Sequence, residues 1–286
     1  MAINPLMVLW FEHLTRLGAL VEADSIIELG PQDVLATCRG TLSRVARRLF
    51  GVDAEVAIQG IFPGGNEAPP PGAQKALYSL FGLHEYHAID FYNPAADFDR
   101  DLNHPVDLGR TWSVVSNFGT AEHCFNIGAC FDTVHRLTAP GGLMLHVLPA
   151  MGDLDHGFYN VNPMLYGRLA YANGYEVVDV RYVDHLHLRC LHCEDAPEAG
   201  FDFDSLPIGL SELTDRDLLA RSTASRFLEN MSDEETHSRI LPLGMAAASV
   251  VYDYCFVALR KRRETPFAIP TQPFAAGPHW AAENFR

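Results

Sequence analysis

Residues 112–149 read WSVVSNFGTAEHCFNIGACFDTVHRLTAPGGLMLHVLP. Trp112 to Asn117 is a short apolar run of the kind a buried strand presents. Thr120 can cap a helix over Ala121 to Leu137, and Glu122 in its first turn suits the helix dipole. Pro140-Gly141-Gly142 ends that helix, and Leu143 to Leu148 is a second apolar run. Strand, helix and strand in this order form the repeating unit of a parallel sheet.

The alternation continues on both sides. Ser25 to Leu29 (SIIEL) and Tyr86 to Phe91 read as strands before the block, and Tyr175 to Tyr182 and Val250 to Leu259 as strands after it. Pro5 opens a helix that stops near Gly18, and Gly30-Pro31 opens one to about Phe50. Further helices are expected over Ala73–Leu83, from Asn162-Pro163 to about Ala172, and over 214–231, where Thr214 and Asp217 resemble a capping box. Residues 60–72 contain four prolines and four glycines and read as a loop.

Composition narrows the function classes. The chain has 286 residues, 48% hydrophobic and 20% charged, which suits a globular fold and excludes a disordered one. Its formal charge of −15 argues against a nucleic-acid or anionic-lipid partner, both of which need a cationic face. No apolar run approaches the roughly 18–20 residues that span a bilayer, so no membrane association is expected. The start, MAINPLMVLWFEHLTRLGAL, lacks a basic n-region and reads as a packed helix. Six cysteines in a chain this long do not suggest a disulfide framework, and the expected location is cytoplasmic.

Open α/β sheets bind ligands outside the carboxyl ends of their strands. The segments to inspect are therefore 29–34, 90–93, 117–123 and 149–163. In the first, Gly30 lets a ligand approach the backbone closely, although Gln32 and Val34 stand where a GxGxxG loop has glycine. In the second, Asp90 at a strand tip can accept both ribose hydroxyl protons of a nucleoside.

The ordered set of motifs resembles a class I S-adenosylmethionine-dependent methyltransferase. Ala121-Glu122-His123-Cys124 matches that family's segment after the fourth strand. Arg136-Leu137-Thr138-Ala139-Pro140-Gly141-Gly142 matches its Pro-Gly-Gly turn. Glu28-Leu29-Gly30 is similar to the first motif, Asp90 to the ribose-binding acid, and Asp101-Leu102-Asn103 to the segment near the adenine. The resemblance covers roughly residues 25–182 and 250–260. It implies a Rossmann-like, open, mainly parallel seven-stranded α/β sheet with helices on both faces and an antiparallel edge strand. On this reading residues 1–24 are an N-terminal helical cap. Residues 25–262 are the cofactor-binding domain, with a loop insertion at about 51–72 and a helical insertion at about 205–245. Residues 263–286 are a Pro-rich extended tail. The cofactor expected is S-adenosyl-L-methionine, lying across Glu28, Gly30, Pro31, Gln32, Asp90, Phe91, Asp101, Leu102, Asn117 and Phe118.

Methyl transfer to oxygen or nitrogen needs positioning and a base, and histidine suits the second role near neutral pH. His123 and His156 both follow strands at the site edge, and Tyr159 and Asn160 share the loop of His156. His156, His123 and Tyr159 are the catalytic candidates; each also has a purely structural reading. His135, inside a helix, and His146, inside a strand, read as structural. Some quinone-type O-methyltransferases of the family this chain resembles use a divalent cation held by acids and a histidine of the Glu-His segment. Glu122 and His123 match that piece only and no third ligand is evident, so no metal is expected, with metal-assisted catalysis as the alternative. Residues 185–193 (HLHLRCLHC) carry a single CxxC among three histidines, which reads as a strand and loop with reduced thiols, with bound zinc or a redox pair as the alternatives. Arg39, Arg44, Arg47 and Arg48 read as a solvated helix face, with an anionic-substrate rim as the alternative. The 214–231 helix is either core or a wall over the acceptor pocket.

The expected function is methyl transfer to a small-molecule, saccharide or peptide-precursor acceptor. Two alternatives stand beside it: a non-methylating S-adenosylmethionine enzyme, such as one that cyclises the aminobutyryl chain, and a non-catalytic binding partner. The proline-rich tail is compatible with a homodimer.

Overall fold

Apolar residues alternate between two faces along each central strand, and that alternation divides the core in two. The computed structural model describes residues 2–51, 54–64, 68–152, 156–183 and 252–271. The 185–193 cluster, the 205–245 insertion with its 214–231 helix, and the end of the tail lie outside the described residues.

A short β1 (Ala2–Ile3) precedes α1 (Pro5–Arg16), whose first turn is capped by the Asn4 side chain accepting from Met7 N–H at 3.0 Å. β2 (Ser25–Leu29) and β3 (Asp33–Val34) lead to α2 (Cys38–Phe50), α3 (Ala54–Ile61) and α4 (Ala73–Leu80). Then come β4 (Glu85–Ile89), β5 (Trp112–Phe118), α5 (Ile127–Leu137), β6 (Thr138–Gly152), α6 (Met164–Asn173), β7 (Glu176–Val183) and β8 (Tyr252–Arg260).

The main sheet has six strands in the order β4-β2-β5-β6-β8-β7. β4, β2, β5 and β6 are mutually parallel, and β8 runs antiparallel between β6 and β7. The expected antiparallel strand is present but lies second from the edge, and β7 forms the edge itself. The described residues form no seventh strand in this sheet: between β4 and β5 only an isolated bridge, Ile89 to Phe98, is made.

Helices cover both faces, as expected. Leu6, Trp10 and Phe11 of α1, Leu42 and Val45 of α2, and Leu77 of α4 pack with Ile26, Val114, Phe118 and Phe256. On the other face Phe131 and Val134 of α5 and Tyr166 and Leu169 of α6 pack with Ile27, Val115, Met144 and Val257. The N-terminal helix is thus part of the core: Trp10 meets the Phe256 ring edge-on at 5.3 Å and donates from its indole N–H to Asp179 at 2.8 Å.

Three local expectations are corrected. Pro31 does not open a helix. Asp33 and Val34 pair with Ala2 and Ile3 as a two-stranded parallel ribbon, and Leu35 N–H donates to Ile3 C=O at 3.0 Å, so α2 starts only at Cys38. The helix expected from Ala121 is split into a 3-10 turn, Ala121–His123, and α5. Thr120 does not cap it, because its hydroxyl donates to Leu29 C=O instead. The expected loop insertion at 51–72 contains helix α3, whose Ile58 and Ile61 are buried.

Candidate functional site

β2, β4 and β5 end side by side. Gly30 N–H donates to Ile89 C=O at 2.8 Å, tying the tips of β2 and β4 together. Gly30 has φ +74°, and a Cβ there would lie 2.8 Å from Thr120 Oγ1 and 3.6 Å from Asp90 Oδ2. Glycine is therefore required by both conformation and space.

Outside these tips lies a cleft of about 310 Å³. Gly30, Pro31, Gln32, Asp90, Phe91, Asp101 and Leu102 line it, and so does His123. Asp90 accepts from the N–H groups of Tyr92 and Asn93 through Oδ1 at 2.7 and 2.9 Å, with Oδ2 on the Gly30 side. Asp101 Oδ1 accepts both the backbone and side-chain N–H of Asn103 at 2.9 Å, and these donors hold its carboxyl below the usual range. Gln32 is buried and donates from Nε2 to Gly30 C=O at 3.0 Å. Its Oε1 has no donor among the described residues.

Glu28, Asn117 and Phe118 do not line the cleft; all three are fully buried. Glu28 accepts from the hydroxyls of Tyr78 and Tyr86 and from Gln32 N–H. Burial raises its carboxyl to about 7, against the pull of those three donors. Asn117 Oδ1 accepts from Ala121 N–H at 3.1 Å, and its amide lies 3.3 Å from His146 Nδ1. Burial pushes His146 down to about 3, so that ring is neutral. The Phe118 ring packs against Trp10 and Phe11. His135 binds Tyr175 Oη and Thr265 C=O, both at 2.6 Å, in keeping with a structural role.

His123 and His156 come together although they are far apart in sequence. Their rings meet edge to face at 4.6 Å. His123 Nε2 is 4.0 Å and His156 Nε2 3.8 Å from Oε1 of the fully buried Glu122. Phe158 N–H donates to Glu122 C=O at 2.7 Å. Gly157 packs so closely that a Cβ would lie 2.8 Å from Glu122 Cγ. Tyr159 hydroxyl donates to Phe125 C=O at 2.7 Å.

Sequence reasoning did not single out Arg100, Gly119, Thr120 and Cys124 as cleft residues. The last three lie in or beside the post-strand segment 117–123, so their place was readable. Arg100 was signalled only by its neighbour Asp101.

No protein-family model matches the chain, and no curated protein matches it. Among solved structures it is similar to phosphoethanolamine N-methyltransferase 2 of Haemonchus contortus in complex with S-adenosyl-L-methionine: 12% identity, TM-score 0.40, covering 87% of this chain and 53% of that one. The chain thus spans about half the length of that protein. It is also similar to coclaurine N-methyltransferase bound to N-methylheliamine and SAH, at 13% identity and TM-score 0.38, covering 89% of this chain and 70% of that one. A third likeness is to a SAM-dependent methyltransferase from Geobacter sulfurreducens in complex with S-adenosyl-L-homocysteine, at 16% identity and TM-score 0.32, covering 88% and 90%. Likenesses this distant decide neither fold nor activity, which rest on the chain's own residues. Among the described residues no helix is long and apolar enough to cross a membrane.

Proposed function

We propose that the chain is an S-adenosylmethionine-dependent methyltransferase of the class I superfamily, acting on a small-molecule, saccharide or peptide-precursor acceptor. The observation that carries this reading is the convergence of Gly30, Asp90 and Asp101 on one cleft outside the carboxyl ends of neighbouring parallel strands. The residues suit a nucleoside bearing an amino-acid chain. Asp90 Oδ2 offers a carboxylate oxygen to ribose hydroxyls, and Phe91 and Leu102 offer apolar surface to a base. Gly30 leaves room for close backbone approach.

Bound S-adenosylmethionine supplies an electrophilic methyl group on a sulfonium. The chain's own task is then to hold an acceptor in line and to take its proton. His123 lines the cleft wall, and the His156 ring lies against it. Either imidazole can orient an oxygen or nitrogen nucleophile or receive its proton at Nε2. Tyr159, on the same loop, is held to Phe125 and shapes the rim.

Calorimetry with S-adenosylmethionine and S-adenosylhomocysteine tests the reading. Micromolar binding is expected, and Asp90→Ala should weaken it at least tenfold. Ligand at 100 times its dissociation constant should stabilise the fold by about 2.7 kcal/mol, read as a higher Tm. Folded protein that binds neither ligand at millimolar concentration would overturn the proposal.

A further inference from the structure

We propose that Glu122, His123 and His156 form a binding site for one divalent transition-metal ion of the zinc type, at the acceptor end of the cleft. One ligand atom from each residue lies within 4.8 Å of the others, and Glu122 Oε1 is 3.8 and 4.0 Å from the two imidazole nitrogens. Ligand bonds of about 2.0–2.2 Å in a tetrahedron bring neighbouring ligand atoms to roughly 3.3 Å apart. Small rotations of the two part-exposed imidazoles close that gap.

The donor set selects the ion. Two imidazoles and one carboxylate suit zinc and its first-row neighbours, whereas calcium and magnesium favour all-oxygen shells. Three protein ligands leave at least one position open. His123 lines the cleft, so the ion would lie at the cleft wall, and an acceptor bound against that wall would reach the open position.

The placement of the third ligand is built into the fold. Glu122 is fully buried, Phe158 N–H donates to its carbonyl, and Gly157 packs on its side chain. The chain on either side of Glu122 and just after His156 is thereby held in one place. With the ion bound at both Nε2 atoms neither imidazole takes the acceptor's proton; an acceptor oxygen on the open position would instead be polarised by the ion and would lose its proton to solvent more readily. That chemical role rests on the methyl-transfer reading; metal binding does not.

The test uses full-length protein stripped with a chelator and dialysed. It is titrated with Zn²⁺ by calorimetry and with Co²⁺ by visible absorption, with S-adenosylhomocysteine binding measured on the same sample. One equivalent of metal is expected, and His156→Ala and His123→Ala should each weaken binding at least tenfold. His156 is exposed and does not line the cofactor cleft, so His156→Ala should fold and keep its S-adenosylhomocysteine affinity. A Cys190→Ser/Cys193→Ser variant should bind metal like the parent. Absence of Zn²⁺ and Co²⁺ binding, or binding that survives His156→Ala but not the cysteine changes, overturns the site. Cofactor binding without metal binding removes this inference alone, and metal binding without cofactor binding removes the methyltransferase reading alone.

Discussion

Two glutamates, Glu28 and Glu122, are fully buried near the carboxyl ends of neighbouring strands, and the fold uses them in opposite ways. Glu28 lies beneath the cleft among Tyr78 of α4, Tyr86 of β4 and the N–H of Gln32. These donors come from the framework, and together they tie a helix, a strand and the Gly30 turn to one carboxylate. Glu122 instead faces two imidazoles, both part-exposed and able to bind protons or metal. Burial alone therefore does not distinguish a framework acid from a functional one; the chemistry and exposure of its neighbours do.

The sharpest way to break that contrast is to remove each region's defining group and compare stability. Glu28→Ala leaves two tyrosine hydroxyls and a backbone N–H without their acceptor and opens a cavity. It should cost about 3 kcal/mol or more in urea unfolding. His156→Ala removes a part-exposed ring and should change stability by less than about 0.5 kcal/mol, while lowering turnover at least tenfold. A Glu28→Ala protein that unfolds like the parent would end the framework assignment.

The pH dependence of stability sharpens the same point. Burial raises the Glu28 carboxyl from 4.5 to about 7. The folded state then binds more protons than the unfolded one between those values, so stability falls as pH rises through the window. The loss is about 3 kcal/mol across the window; below its lower end the contribution of neutral Glu28 is fully present. Glu28→Gln should remove this term, so the difference between parent and variant in unfolding free energy should change between about pH 4.5 and pH 7. A difference that is flat across that range contradicts a raised Glu28.

Much of this contrast was written in the sequence, and the missing part has a physical cause. The apolar runs at 25–29 and 112–117 place the strand tips, and the residues just after them include Gly30, Pro31, Gln32 and His123 of the cleft wall. Local signals failed where a distant partner decided the outcome. Gly30-Pro31 looked like a helix start, but Ala2-Ile3 claims Asp33-Val34 as a strand. Thr120 looked like a cap, but Leu29 C=O takes its hydroxyl. Asn117 and Phe118 sit in the right segment, yet their side chains are consumed by Ala121 and by Trp10 and Phe11. The meeting of His156 with Glu122 and His123 depends on where β6 delivers the following loop, which no spacing rule encodes.

A smaller effect tests how that loop is seated. Gly157→Ala places a methyl 2.8 Å from Glu122 Cγ and 2.9 Å from its carbonyl oxygen. Neither neighbour gives way freely, so the loop carrying His156 should lift. The expected stability loss is about 1–2 kcal/mol. Turnover should fall further than that loss explains, because His156 moves relative to Glu122. If activity and metal affinity are unchanged in Gly157→Ala, the loop is not held by this contact.

The smallest expected effect concerns Tyr159, a catalytic candidate by sequence. Its hydroxyl already donates to Phe125 C=O at 2.7 Å on an exposed part of the rim. A hydroxyl engaged in this way cannot donate the same proton to an acceptor, though its lone pairs remain available. Tyr159→Phe removes one solvent-accessible hydrogen bond, which contributes at most about 1 kcal/mol. If Tyr159 only shapes the rim, kcat should change by less than about threefold and KM should rise modestly. A hundredfold loss of kcat with KM unchanged would instead mean that the hydroxyl acts in the transition state, and would move the functional centre from the Glu122 cluster toward the rim.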